Sequence, residues 1–209
     1  MNSKKRRLSN FKLYAITDLQ AEDPQILKRI EGALRGGVDI VQLRSRHLSD
    51  RALFDLGKRI RVLTEQLKKL FIVNDRADLA LAIDADGVHL GQEDLAIKFA
   101  RKMMRDKIIG CSTHTLKQAL AAERAGADYI GFGPIFDTPT KPTYRAVGLE
   151  PIGEVVNRIQ IPVVCIGGID PSNVKKVIGV GANRIAVVRA IFSAADPYEA
   201  ARSLKSEMI

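Results

Sequence analysis

The sequence predicts an α/β fold, a single-domain (β/α)8 TIM barrel, and three observations lead there. Short β-rich runs alternate with amphipathic stretches along all 209 residues, and a small residue followed by Asp or Asn recurs before every second run. A hydrophobic content of 46% with no sustained low-complexity stretch suits one core at this length.

Taken in order, the first strand is expected near residues 12–16 and is followed by a helical pattern over 24–35, with Ile26, Leu27, Ile30 and Leu34 on one face. The second strand, 39–43, precedes a helix over 49–68 that Ser49 opens as N-cap and that carries Leu53, Leu56, Ile60, Leu63 and Leu67. Strands at 70–73 and 86–90 lead to a helix at 95–104, and a strand at 107–111 leads to one at 115–125. The sixth strand, 128–132, runs into a long loop and a helix over 149–159. The seventh, 162–166, precedes a helix over 171–179 with Pro171 in its first turn, and the eighth is 183–188. Gly37-Val38-Asp39, Ala85-Asp86-Gly87, Gly126-Ala127-Asp128 and Gly181-Ala182-Asn183 form a weak internal repeat, in which the glycine closes a helix and the Asp or Asn starts a strand. An open doubly wound sheet is the alternative, weakened because no G-x-G-x-x-G follows the first strand.

The 33 Lys and Arg outnumber the 24 Asp and Glu, and the resulting +9 suits either nucleic acid or anionic small molecules. With no tryptophan and 5% aromatic residues there are few stacking platforms for single strands. The dense run Lys4-Lys5-Arg6-Arg7 reads as part of a basic N-terminal tail, residues 1–10, solvated or disordered, with a binding arm as the alternative; the barrel is assigned to 11–209. Apolar runs such as 161–169 fall far short of the roughly 20 residues of a membrane helix. Leu8-Ser9-Asn10 supplies no apolar core for a secretory signal, so a cytoplasmic location is expected. Cys111 and Cys165 lie in apolar segments with no metal-ligand spacing and read as small buried hydrophobes.

In such a barrel, chemistry belongs at the carboxyl ends of the strands. After the second strand, period-two alternation turns Gln42, Arg44 and Arg46 to one side, and two converging guanidiniums suit a diphosphate. The third strand ends in Asn74-Asp75 and the loop after the fourth contains Asp94, making Asp75 and Asp94 a candidate pair for Mg²⁺, although each also suits a helix cap. His89, inside a strand, reads as a hydrogen-bonded structural residue. Gly110-Cys111-Ser112-Thr113-His114 offers hydroxyls and a helix start to an anion. The proline-stiffened segment from Gly131 to Pro142, with Thr138, Thr140 and Lys141, has the character of a lid over a phosphorylated substrate. Gly167-Gly168 and Val188-Arg189 end the last two strands, where backbone amides commonly hold phosphate; a simple strand bend is the alternative for the glycines.

In order, these residues resemble the thiamine phosphate synthase family. The likeness runs from Leu13-Tyr14-Ala15-Ile16-Thr17-Asp18 almost to the carboxyl end, and its most specific strings are Asn74-Asp75-Arg76-Ala77-Asp78-Leu79-Ala80, Asp86-Gly87-Val88-His89-Leu90-Gly91-Gln92-Glu93-Asp94, and Gly133-Pro134-Ile135-Phe136 leading to Thr138-Pro139-Thr140-Lys141. The resemblance implies a Mg²⁺-dependent transferase that joins 4-amino-2-methyl-5-hydroxymethylpyrimidine diphosphate to 4-methyl-5-(2-phosphoethyl)thiazole and releases diphosphate. It implies further that Gln42 and Asn74 contact the pyrimidine, and that Arg44, Arg46, Ser112 and Lys141 hold the diphosphate, with Arg44, Ser112 and Lys141 as the catalytic set. Asp75 and Asp94 would bind Mg²⁺, while Thr138, Thr140, Gly168, Val188 and Arg189 would hold the thiazole phosphate. Two positions depart from the family pattern: Arg44-Ser45-Arg46 stands where Arg-Glu-Lys is usual, and Arg189 where serine is common.

The expected partners are small molecules, with no nucleic acid and no membrane, and the oligomeric state is left open. The nearest enzyme rival is a thiazole tautomerase of related fold with His114 as acid–base group. From other classes, a noncatalytic phosphate-ligand sensor and a basic nucleic-acid binder are the rivals.

Overall fold

Leu13, Ala15, Val41, Leu43, Phe71 and Val73 are buried among the helices, whereas Tyr14, Ile16, Ile40, Leu70 and Ile72 are buried in a separate inner cluster. Strands buried on both faces are what a closed parallel barrel requires, and they explain why the strand segments read as near-continuous apolar runs. The computed structural model describes residues 3–138 and 145–208. Among these residues, eight strands close in the order β1 to β8, and β1 pairs in parallel with both β2 and β8. The chain runs α1 (Ser3–Asn10), β1 (Leu13–Ile16), α2 (Ile26–Arg35), β2 (Ile40–Leu43), α3 (Asp50–Gln66), β3 (Leu70–Asn74), α4 (Ala77–Ile83), β4 (Gly87–Leu90) and α5 (Ile97–Met104). It continues with β5 (Ile108–Thr113), α6 (Leu116–Arg124), β6 (Tyr129–Phe132), α7 (Ile152–Arg158), β7 (Val163–Ile166), α8 (Val174–Gly179), β8 (Ile185–Val187), α9 (Arg189–Phe192) and α10 (Pro197–Ser206).

The expected amphipathic faces are present. Ile26, Ile30, Ala33 and Leu34 bury one side of α2, each large side chain contributing about 1.5–3 kcal/mol of burial. Ser49 caps α3 by accepting the Ala52 N–H at 3.2 Å. No helix among the described residues is long and apolar enough to cross a membrane.

The internal repeat has a mechanical basis. Asp39 accepts the N–H of Leu13 at 3.1 Å, Asp86 that of Phe71 at 2.9 Å, and Asp128 that of Ile109 at 2.9 Å. In each case the aspartate's own N–H returns a bond to the carbonyl of the same residue. Each carboxylate therefore clamps the foot of its strand to the preceding one and is neutralised by a cation: Lys205 for Asp39, Arg61 for Asp86, Arg101 for Asp128. Burial alone would raise the Asp39 carboxyl, but Lys205 and the Lys12 and Leu13 N–H groups outweigh it and hold it below the usual carboxylate range. The second repeat has no glycine ahead of its aspartate because Asp84 takes the left-handed helix end, at φ 61°. At the fourth position Asn183 instead accepts from its neighbour Arg184.

The N-terminal segment corrects an expectation. Residues 3–10 form a helix instead of a solvated tail, and Leu8 and Phe11, 4% and 2% exposed, join the inner cluster beneath Tyr14. The basic run masked this, because local charge says nothing of the burial that Leu8 and Phe11 gain against the inner cluster.

Candidate functional site

Inward-facing positions of the strands carry an unusual set of polar groups. The Gln42 Nε2 donates to the Tyr14 hydroxyl at 2.7 Å, the Tyr14 and Tyr129 hydroxyls lie 2.9 Å apart, Tyr129 Oη is 2.9 Å from His89 Nδ1, and His89 Nε2 is 2.9 Å from Ser112 Oγ. Five residues from β1, β2, β4, β5 and β6 thus form one continuous hydrogen-bonded chain across the barrel. Burial pushes both phenols well above the ordinary tyrosine value, so both keep their protons.

Above this chain, a cavity of about 350 Å³ opens at the carboxyl ends of the strands. Gln42, Arg44, Asn74, Ser112, Thr138, Gly168, Val188 and Arg189 all line it, so eight of the expected binding residues converge. Its floor is kept open by small residues: a Cβ on Gly131 would stand 3.4 Å from the His89 Cε1. The Arg44 guanidinium pairs with Asp18 and its side chain is only 7% exposed, while its N–H donates to Thr17 Oγ1 at 2.8 Å. A guanidinium held this way meets a ligand without losing rotamer entropy at that moment.

Gly167 and Gly168 adopt φ of +101° and +65°, and Cβ atoms there would lie 2.4 Å from Pro134 and 2.7 Å from Phe136. The glycines are therefore required by the close approach of the loop after β6, which brings the Gly168 backbone to the cavity wall. Val188 precedes the four-residue α9, and Arg189 is exposed at the cavity mouth.

Arg46 departs from expectation. It is exposed and does not line the cavity, because the parallel pairing that continues past β2 ends at the Leu19–Ser45 bridge and the chain turns there. The Ser45 hydroxyl then caps a turn, donating to the Leu19 carbonyl at 2.7 Å and accepting from the His47 and Leu48 N–H groups. Thr140 and Lys141 lie outside the described residues.

Asp75 and Asp94 are both exposed at the rim, outside the cavity lining. Asp75 has φ 59° and gives its N–H to the His89 carbonyl at 2.8 Å, while Asp94 accepts the Gly91 N–H at 2.5 Å. Neither caps a helix: the N-caps of α4 and α5 are Arg76 and Ala96. Arg76 pairs with Asp50 and Asp78, holding the loop that carries Asp75 against α3 and drawing the Asp78 carboxyl down to about 2. Among the described residues, no group of three or more His, Cys, Asp or Glu is placed to hold a metal. Two exposed carboxylates on neighbouring strand ends are hard oxygen donors of the kind that share Mg²⁺ with a substrate phosphate, so the residues fit such an ion once substrate supplies further ligands.

Sequence reasoning missed the functional placement of Tyr14, Tyr129, Asp18 and Gln92. The same period-two rule that selected Gln42 puts Tyr14 and Tyr129 inward. Gln92 had no local signal: its Nε2 reaches across to the Ser112 carbonyl at 2.6 Å, steadying the end of β5. His89 is hydrogen-bonded as expected, yet it is also part of the cavity wall. His114, the acid–base group of the tautomerase alternative, donates Nδ1–H to the Gly133 carbonyl at 2.5 Å, tying β5 to the loop after β6.

A closed barrel that gathers polar side chains and glycine-flanked amides at the carboxyl ends of its strands has the layout of the barrel enzymes, whose active sites lie at that face. The profile of the thiamine monophosphate synthase family matches residues 13–191, and the chain belongs to that family. It is 45% identical to a thiamine-phosphate synthase of Pyrococcus abyssi over 93% of both chains, and 44% identical to one of Clostridium acetobutylicum over 88% of this chain and 89% of that one. A solved thiamine phosphate pyrophosphorylase from Pyrococcus furiosus superposes with a TM-score of 0.88 at 39% identity, covering 98% of this chain and 96% of the other. A 3-hexulose-6-phosphate synthase at 20% identity and TM-score 0.71 shares the fold.

Proposed function

We propose that this protein is a transferase that joins 4-amino-2-methyl-5-hydroxymethylpyrimidine diphosphate to 4-methyl-5-(2-phosphoethyl)thiazole, forming thiamine phosphate and diphosphate. The observation that supports it most is the convergence of Gln42, Asn74, Arg44, Ser112, Thr138 and Gly168 on one cavity, in a chain of this family. The tautomerase alternative gains nothing from the comparisons, in which the relatives named above carry the synthase name.

The chemistry divides naturally. The amino group pushes electron density through the pyrimidine ring, so the bond from the methylene carbon to the diphosphate oxygen breaks with its electron pair leaving on diphosphate. The thiazole nitrogen then donates its lone pair to that carbon, and no protein nucleophile is needed. Gln42 has committed its Nε2 to Tyr14, which leaves Oε1 to accept a hydrogen bond from the amino group. Arg44, Ser112 and Lys141 stabilise charge gathering on the departing diphosphate, while Thr138, Thr140, the backbone at Gly168 and Val188, and Arg189 hold the thiazole phosphate in line. Asp75 and Asp94 would hold Mg²⁺, which when bound supplies further positive charge at the leaving group.

Incubation of the full chain with both substrates and Mg²⁺, followed by mass detection of thiamine phosphate, tests the assignment. Folded protein that yields no product overturns it.

A further inference from the structure

The five-residue chain beneath the cavity has a direction that follows from donor and acceptor counting. An amide nitrogen only donates, so the Tyr14 oxygen accepts from Gln42 Nε2 and the single Tyr14 proton goes to its other partner, Tyr129 Oη. Tyr129, now an acceptor from Tyr14, spends its own proton on His89 Nδ1. A neutral imidazole that accepts at Nδ1 carries its hydrogen on Nε2, and that hydrogen is directed at Ser112 Oγ 2.9 Å away. The Ser112 hydroxyl then accepts from the histidine, and its own proton turns to another acceptor.

We infer that Gln42, Tyr14, Tyr129 and His89 form a polarised relay that locks His89 as its Nε2–H tautomer and makes Ser112 a donor into the cavity. His89 is accordingly a positioning residue. Had the relay run the other way, Ser112 would donate to His89 and present only lone pairs to the site, repelling an anion. The relay also links the two ends of one ligand: a donor group on Gln42 Oε1 keeps the amide nitrogen facing Tyr14, and so keeps the Ser112 proton facing the cavity. A ring bearing an acceptor in place of the amino group would demand the flipped amide and so the reversed relay, which makes this a selectivity device. Both phenols, held protonated by burial, can serve as links over the whole neutral range. Assigning the leaving diphosphate as the acceptor for Ser112 rests on the proposed function; the tautomer does not.

The test is a long-range proton–nitrogen correlation spectrum of the ligand-free full chain labelled in the rings of its three histidines. The expected His89 signal has a bare Nδ1 and a protonated Nε2. Tyr129→Phe removes the donor to Nδ1 and is expected to bring up the Nδ1–H form, lowering kcat about tenfold with KM for the thiazole phosphate unchanged. Ser112→Ala is expected to keep the parent tautomer, because the tyrosine side sets it. If the parent makes no thiamine phosphate while His89 shows the expected tautomer, the proposed function falls and the relay stands. A parent ring protonated on Nδ1, or a Tyr129→Phe protein that keeps either the parent tautomer or the parent kcat, overturns the relay.

Discussion

Tyr129 occupies the space that a side chain at Gly110 would need: a Cβ there would sit 2.1 Å from the Tyr129 Cζ and 2.4 Å from its hydroxyl. Gly110→Ala therefore has to push the ring out of the inner cluster. Overpacking of this kind costs about 1–3 kcal/mol, so thermal denaturation should move to lower temperature. An unaltered melting curve would mean that the ring has slack to move.

Asp39 ties β1 to β2 and sits between Lys69 and Lys205. Asp39→Asn should destabilise the protein by about 1–3 kcal/mol at neutral pH, measured by urea unfolding. The folded-state carboxyl is lowered, so its contribution is complete above the unfolded value of about 3.9 and is lost as pH falls through the folded value. The gap between parent and variant should therefore close on acidification; a gap that widens toward acid contradicts the clamp.

Burial raises the Cys111 thiol to about 11, with the Asp94 charge adding to it, and burial raises Cys165 to about 12. Both should react with iodoacetamide at neutral pH on the order of a hundredfold more slowly than an exposed thiol, and rapidly once the chain is unfolded. Mass spectrometry of the labelled native protein measures this directly.

Asp75→Asn and Asp94→Asn alter exposed rim residues, so both variants should fold as the parent does. Their turnover should fall about a hundredfold and require more Mg²⁺. A Mg²⁺ titration of synthase rate that leaves both curves superposed on the parent's would remove the pair from the site.

Arg189 is exposed at the cavity mouth, where an anion would pass it. Arg189→Glu should raise KM for the thiazole phosphate several-fold with a smaller effect on the pyrimidine substrate, and Arg189→Ser should keep activity while weakening the salt dependence. Substrate titrations at low and high ionic strength discriminate: if the Glu variant shifts neither, the phosphate rests on backbone alone.

The alternation of strands and helices, and the strand ends that bear the site, were legible because period and punctuation are local. Gln42, Arg44, Asn74 and Ser112 could be placed because each sits at or just past the end of an inward-facing run. Arg46 was misplaced because the end of β2 is set by the Ser45 turn, which depends on Leu19, a residue far away in sequence. The helix at residues 3–10 was missed because its stabilising partners belong to the barrel floor. The relay was invisible for a similar reason: Tyr14 and Tyr129 are 115 positions apart, and only barrel closure brings their hydroxyls together.

The aspartate clamps make the barrel a ring of locked strand pairs instead of eight equal staves, and among the described residues the last pair shows no such lock. Asn183 does not reach back to β7, β8 is three residues long, and its register with β7 covers only Cys165–Ile185 and Ile166–Ala186. Amide exchange should therefore be fastest along this seam, where the wall can breathe without the other pairs opening. The seam ends in the Gly168 and Val188 loops, so a phosphate gripped between them would staple it shut, and occupancy of the site would be felt as rigidity in the weakest part of the wall.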